Sequence, residues 1–183
     1  MRKEGRAINP IGIKKHSNSG PLYNELGKVL WTKQDYTAIK QWEKGIENDP
    51  GFGGNYYNAC KYYYFTTDKT WSLIYGEIFL NIDPLSAYTP EIKNILLEGY
   101  KKLFADADLE KNNKDKSPFT LAFLKTMNKQ SAVASGGINA ETLTMIRTRF
   151  ILDWYANYSN KFPFKLFELQ KQLIELGLFE AYN

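Results

Sequence analysis

Residues 56–84 read YYNACKYYYFTTDKTWSLIYGEIFLNIDP and end in an Asp-Pro pair. Residues 23–50, which come before them, read YNELGKVLWTKQDYTAIKQWEKGIENDP and end in the same pair. Asp49-Pro50 and Asp83-Pro84 therefore lie 34 residues apart. Because proline lacks an amide proton and disfavours the α conformation in the residue before it, each pair predicts the end of a helix. An interval of this length predicts a helical repeat.

Residues 56–84 resemble a tetratricopeptide repeat, a helix-turn-helix unit of 34 residues. Tyr56 stands at an aromatic position of the family, Cys60 and Ser72 stand at positions that take small residues, and Pro84 closes the unit. Small residues let the two helices of a unit approach closely. Lys69 departs from the family, which has a tyrosine there. We expect Cys60 to have a packing role rather than to act as a reactive thiol.

Residues 23–50 resemble the same family through Leu26-Gly27 and Tyr36, if one residue is missing just after Tyr36. Counting back 33 residues from Pro50 reaches Ser17, where a still earlier unit would close. We therefore interpret residues 1–17 as the worn second helix of another repeat.

The resemblance implies an all-α fold: a short tetratricopeptide-type helix-turn-helix solenoid with a helical C-terminal region packed against it. We predict that the repeats occupy residues 1–105, a charged loop residues 106–116 and the C-terminal region residues 117–183. Within residues 1–105 we expect a partial unit at 1–17, two units at about 20–50 and 53–84, and a capping helix at 90–105.

Capping signals predict the helices of the second half. Thr89-Pro90, Ser117-Pro118 and Asn139 each offer a side chain that can cap a helix N-terminus, and Pro163 and Gly177 predict interruptions. No strand-like alternation with turn signals occurs. Residues 147–155 (RTRFILDWY) and the residues after them resemble the C-terminal region of uncharacterised bacterial proteins that carry tetratricopeptide repeats. This resemblance does not indicate any particular activity.

The family resemblance also implies a function, because the first helix of each unit lines a concave groove that commonly binds another polypeptide. Amides can bind a peptide backbone, lysines can attract a carboxylate and aromatic rings supply contact area. We expect a protein or peptide partner, in particular an acidic one. The alternative is that the C-terminal helices fold back and fill the groove. The groove candidates are Asn24, Lys28, Trp31, Tyr57, Asn58, Lys61, Tyr64 and Phe65.

A second hypothesis is a helical enzyme or small-ligand protein whose site lies between the repeats and the C-terminal helices. Its candidate residues are Arg147, Arg149, Asp153 and Trp154, near Tyr64.

Composition does not favour the other function classes. The formal net charge of +4 lies entirely in residues 1–16, so nucleic-acid binding, including RNA binding, is a weaker hypothesis. With a single histidine, His16, and a single cysteine, the sequence predicts neither a conventional catalytic triad nor a zinc site, and we expect no cofactor and no metal. The acidic run at 106–110 lacks the glycine of a calcium loop.

The sequence shows no leader pattern and no apolar run of about 18 residues, so we expect no membrane span. Cytoplasm is the default compartment; the periplasm or secretion is the alternative if an original signal peptide preceded this sequence. The oligomeric state stays open.

Overall fold

The computed structural model describes residues 19–66, 68–106 and 108–182. The partial unit expected at residues 1–17 and His16 lie outside these residues. The described chain is all-helical and contains no strand, as predicted. Its helices are α1 (Gly20–Thr32), α2 (Ala38–Asn48), α3 (Gly53–Phe65), α4 (Lys69–Ile82), α5 (Thr89–Phe104), α6 (Leu109–Asn112), α7 (Pro118–Asn128), α8 (Ser131–Ala134), α9 (Ala140–Asn157), α10 (Lys165–Glu175) and α11 (Phe179–Tyr182).

The first five helices pack in neighbouring pairs. Helix α1 packs on α2 and α3 packs on α4, and α5 packs on both α3 and α4. Short links force the two helices of each pair to return alongside one another. Asp68 starts α4 by accepting hydrogen bonds from the backbone amides of Thr70 and Trp71, at 3.1 and 3.4 Å. Helix α3 also contacts both α1 and α5, and we call α1, α3 and α5 the first helices.

Both Asp-Pro pairs stand where the sequence predicts a helix end. Asp49 is the C-cap of α2, and Asp83 is the C-cap of α4. The carboxylate of Asp49 also accepts a hydrogen bond of 3.2 Å from the backbone amide of Gly20. The end of α2 is thereby tied to the beginning of α1.

Small residues allow the close helix contacts that the sequence predicts. A Cβ atom placed on Gly27 would lie 2.2 Å from the indole nitrogen of Trp42, and one placed on Gly45 would lie 2.4 Å from the Asn55 amide nitrogen. Real Cβ atoms do not approach other heavy atoms this closely, so neither position accepts a larger residue without movement. Cys60 is fully buried between α3 and α4, where burial raises the pKa of its thiol to about 12. A thiol in this state is suited to packing rather than to nucleophilic chemistry.

The C-terminal helices share one hydrophobic core with α3, α4 and α5. Trp154 is fully buried there, and its ring centroid lies 5.0 Å from that of Phe167 and 5.4 Å from that of Phe119. Phe119 in turn stacks on Trp71 of α4, with 5.6 Å between ring centroids. The C-terminal helices therefore pack against α4.

The predicted charged loop at 106–116 includes a short helix, α6. The first turn of α6 is capped by the Asp108 carboxylate, which accepts a hydrogen bond of 3.1 Å from the Lys111 amide. Leu109 is buried in the shared core. Leu109 therefore contributes to holding this segment against the core, together with the hydrogen bond of 3.1 Å that the Trp71 indole donates to the Asp115 carboxylate.

The predicted caps of α7 and α9 are confirmed, but that of α5 is wrong. Ser117 accepts from the Thr120 amide, and Asn139 forms a reciprocal capping box with Thr142. Thr89 lies inside α5, and its hydroxyl donates instead to the carbonyl oxygens of Asp83 and Pro84. This hydroxyl therefore braces the turn after α4 rather than the start of α5. No helix in the described part of the chain is long and apolar enough to span a membrane.

Candidate functional site

The first helices α1, α3 and α5 present polar side chains that meet one another. We call this surface the first-helix face and define it by Asn24, Lys28, Tyr57, Asn58, Lys61 and Glu91. The Asn58 amide of α3 donates a hydrogen bond of 2.7 Å to the Asn24 amide oxygen of α1. Asn24 is nearly buried, whereas Asn58 is half-buried. This contact holds α1 and α3 in a fixed register along the face.

Three side chains form a closed network between α3 and α5. The Tyr57 hydroxyl donates to the Glu91 carboxylate at 2.6 Å, and the Lys61 ammonium lies 2.8 Å from the other oxygen of that carboxylate. The same ammonium donates to the Tyr57 hydroxyl at 2.9 Å. The carboxylate is therefore held by one charged and one neutral donor at once.

The network shifts the ionisation of all three groups. The hydrogen bonds from Lys61 and then Tyr57 lower the pKa of Glu91. Burial alone would lower the pKa of Lys61, but its contacts with Glu91 and Tyr57 raise that pKa above its ordinary value. Burial, reinforced by Glu91, raises the pKa of Tyr57. Glu91 and Lys61 therefore carry full charges at neutral pH, and Tyr57 stays protonated.

The other lysine of the face has its own acidic neighbour. Lys28 lies 2.8 Å from the Glu25 carboxylate, one turn earlier in α1, and both side chains are about half exposed. Exposed pairs of this kind contribute about 0–1 kcal/mol, so this carboxylate can leave Lys28 at little cost. The face thus has two lysines, each matched by one glutamate.

Apart from Tyr57, the aromatic candidates lie towards the C-terminal ends of α1 and α3. Trp31 is about a third exposed, and its ring packs against Tyr62 and Tyr36 with centroid distances of 5.4 and 5.9 Å. The Lys102 ammonium lies 3.8 Å from the centroid of the Tyr64 ring. Phe65 is two-thirds exposed. These rings add accessible aromatic surface next to the polar network.

Within the described chain, the eight groove candidates make their hydrogen bonds, ion pairs and ring contacts with residues of α1 to α5 and the links between those helices. The C-terminal helices instead contact α4 through Trp71 and Glu77. The alternative in which those helices fill the groove has no contact of this kind to support it.

The four residues of the second hypothesis are not brought together. Arg147 is buried and bonded to Glu77 of α4, whereas Arg149 is exposed on the same helix. The Asp153 carboxylate accepts a hydrogen bond of 2.7 Å from Gln130. Trp154 has no exposed surface. Arg147 and Asp153 therefore do not converge on a common ligand position.

A large cleft nevertheless separates α4 and α5 from the first half of α9 and from α11. Its volume is about 890 Å³, and Arg147 is the one candidate of the second hypothesis that lines it. Among the described residues, no group of three or more metal-ligating side chains occurs.

Sequence reasoning missed Glu91 as a member of the first-helix face. Glu91 follows Tyr57 by 34 residues, which is the interval between the two Asp-Pro pairs. In a helical repeat protein, equivalent positions of successive units lie on neighbouring helices, so this interval was the signal that could have identified Glu91.

Comparisons of the chain with protein-family models, with curated proteins and with solved structures returned no match.

Proposed function

We propose that this chain is a tetratricopeptide-type scaffold that binds an acidic peptide segment on the first-helix face. Two helix pairs, each ending in an Asp-Pro pair, and the successive contacts of α1, α3 and α5 support the repeat assignment. Stacked units of this type present extended surfaces that suit a polypeptide.

The network of Lys61, Glu91 and Tyr57 carries the proposal. A carboxylate of the protein occupies the position between an ammonium and a phenol hydroxyl, at 2.8 and 2.6 Å. A ligand carboxylate would find the same two donors if Glu91 turned away. Glu91 is nearly half exposed, so its side chain has solvent to turn into.

The amides and rings of the face supply the remaining contacts. Asn58 is half-buried and lies beside Lys61 on α3. Its amide nitrogen donates to the Asn24 amide oxygen and to a backbone carbonyl oxygen of α3, so the amide oxygen of Asn58 is the atom that can bind a peptide N–H group. Trp31 and Phe65, at the C-terminal ends of α1 and α3, offer exposed ring surface, and aromatic rings give contact area at low conformational cost. The ligand is therefore an extended segment with an acidic group and at least one apolar side chain.

Selection from a random peptide library tests the proposal. Wild-type protein is expected to enrich acidic sequences, and those peptides are expected to bind the Lys61→Met variant at least about tenfold more weakly, as for loss of a charge-assisted hydrogen bond. Lys125→Met, which removes an exposed lysine of α7, is the matched control. Equal binding of the selected peptides to wild type and Lys61→Met would refute the assignment.

A further inference from the structure

The cleft between α4, α5, α9 and α11 has the size and lining of a small-molecule site. Its volume of about 890 Å³ falls in the range of roughly 300–1,000 Å³ that is common for ligand pockets. Leucine and methionine side chains from three helices form its walls: Leu80 of α4, Leu96 and Leu97 of α5, and Leu143 and Met145 of α9. An apolar body of a ligand would therefore gain contact on two opposite sides.

The polar groups at the inner end of the cleft are already bonded to one another. Arg147 donates to Glu77, and each of these side chains is less than a tenth exposed. A ligand that bound through these groups would have to break a buried ion pair, which costs several kcal/mol. The inner end therefore accepts an apolar group rather than a charged one.

The charged groups that a ligand can reach lie at the rim. Glu141, Glu180 and Lys93 line the cleft, all three are exposed, and in the described part of the chain none of them takes part in an ion pair. The rim therefore has two negative charges, on Glu141 and Glu180, and one positive charge, on Lys93. The charges of Glu77 and Arg147 compensate each other. The rim therefore favours a positive head group over a negative one.

We propose that this cleft binds an organic cation with an apolar chain or ring, with the apolar part between α5 and α9 and the positive group at Glu141 and Glu180. The site is independent of the first-helix face, because Lys61, Tyr57 and Glu91 do not line the cleft. Failure of peptide binding at that face would leave this proposal unaffected.

Two probes with the same tail and opposite charge test the proposal. Isothermal titration of the full chain with decyltrimethylammonium and with decanoate, each below its micelle concentration, is expected to give 1:1 binding of the cation at least about tenfold tighter than of the anion. Equal or tighter binding of decanoate, or no saturable binding of the cation, would overturn the proposal.

Variants locate the binding in the cleft. In Glu141→Gln/Glu180→Gln, which changes two exposed side chains, the preference for the cation is expected to fall to less than about threefold. Met145→Trp is expected to abolish binding of the cation by filling the cleft, and Leu97→Trp fills it from the opposite wall if the first variant misfolds by circular dichroism. Unchanged cation binding in a folded, filled variant would contradict the assignment.

Discussion

Arg147 of α9 donates a hydrogen bond to the Glu77 carboxylate of α4, although the two residues lie 70 positions apart. Each side chain is less than a tenth exposed. Burial raises the pKa of Glu77, and the contact with Arg147 opposes that rise. Nearby, the guanidinium lies 5.5 Å from the centroid of the Tyr182 ring. The pair therefore joins the C-terminal helices to α4 at a point from which water is largely excluded.

Replacing Arg147 alone is expected to leave a buried carboxylate without its counter-charge. Arg147→Met should lower the free energy of unfolding by about 3–5 kcal/mol, measured by urea denaturation. Arg149→Met removes an exposed arginine of the same helix and should change it by less than about 0.5 kcal/mol. The double variant Glu77→Leu/Arg147→Met should recover most of the loss, since neither charge remains buried. A single variant as stable as wild type would show that the pair does not hold the two parts together.

The contact of Gly27 with Trp42 is expected to tolerate no additional methyl group. A Cβ atom at Gly27 would lie 2.2 Å from the Trp42 indole nitrogen, which donates to the Asn24 carbonyl oxygen at 3.2 Å. Gly27→Ala should therefore lower the melting temperature and destabilise the protein by about 1–3 kcal/mol, despite the higher helix propensity of alanine. Gly51→Ala is the control, because its Cβ would meet nothing closer than 4.0 Å. Equal melting temperatures for the two variants would contradict the close packing of α1 and α2.

Asp68 is expected to make stability depend on pH. Burial, together with the charges of Asp115 and Glu43, raises the pKa of Asp68 to about 6, although the amides of Trp71 and Thr70 oppose the rise. The folded state therefore binds the Asp68 proton more tightly than the unfolded state does. Proton binding at Asp68 stabilises the fold at low pH, and this contribution to the free energy of unfolding is lost as the pH rises from about 4 through 6.

Asp68→Asn keeps the N-cap of α4 but removes this titration. Compared with wild type, the variant should unfold with similar free energy at pH 4 and with about 1–2 kcal/mol more at pH 8. Urea denaturation across this range measures the difference. A constant difference between the two proteins at all pH values would show that Asp68 does not titrate in this window.

The sequence predicted the local structure well where one residue determines it. Asp49-Pro50, Asp83-Pro84, Ser117 and Asn139 end or begin helices through their own backbone or side-chain chemistry, and the helices are bounded as these residues indicate. Thr89 is the exception, because its hydroxyl found acceptors in the preceding turn. A capping residue in the sequence shows only that its side chain is able to cap a helix. Whether it does so depends on which other hydrogen-bond partners the fold brings close to that side chain.

Long-range partners were not predictable in the same way. Nothing in the local sequence of Arg147 indicates Glu77, and Trp71 gave no sign that it would stack on Phe119 and donate to Asp115. Such contacts depend on how helices from distant parts of the chain pack, which hydrophobic periodicity does not specify. In the candidate site, the lysines were expected, whereas the glutamates that hold them were not.

The binding of one acidic peptide to wild type, Glu91→Gln and Lys61→Met tests the central claim most directly. The peptide is one selected on the wild-type protein, and isothermal titration measures its dissociation constant. The Glu91→Gln variant is expected to bind about fivefold more tightly, because Lys61 loses its internal counter-charge while Tyr57 keeps an acceptor. Lys61→Met should bind at least about tenfold more weakly than wild type. Dissociation constants that are the same for all three proteins would show that the first-helix face does not bind the ligand carboxylate.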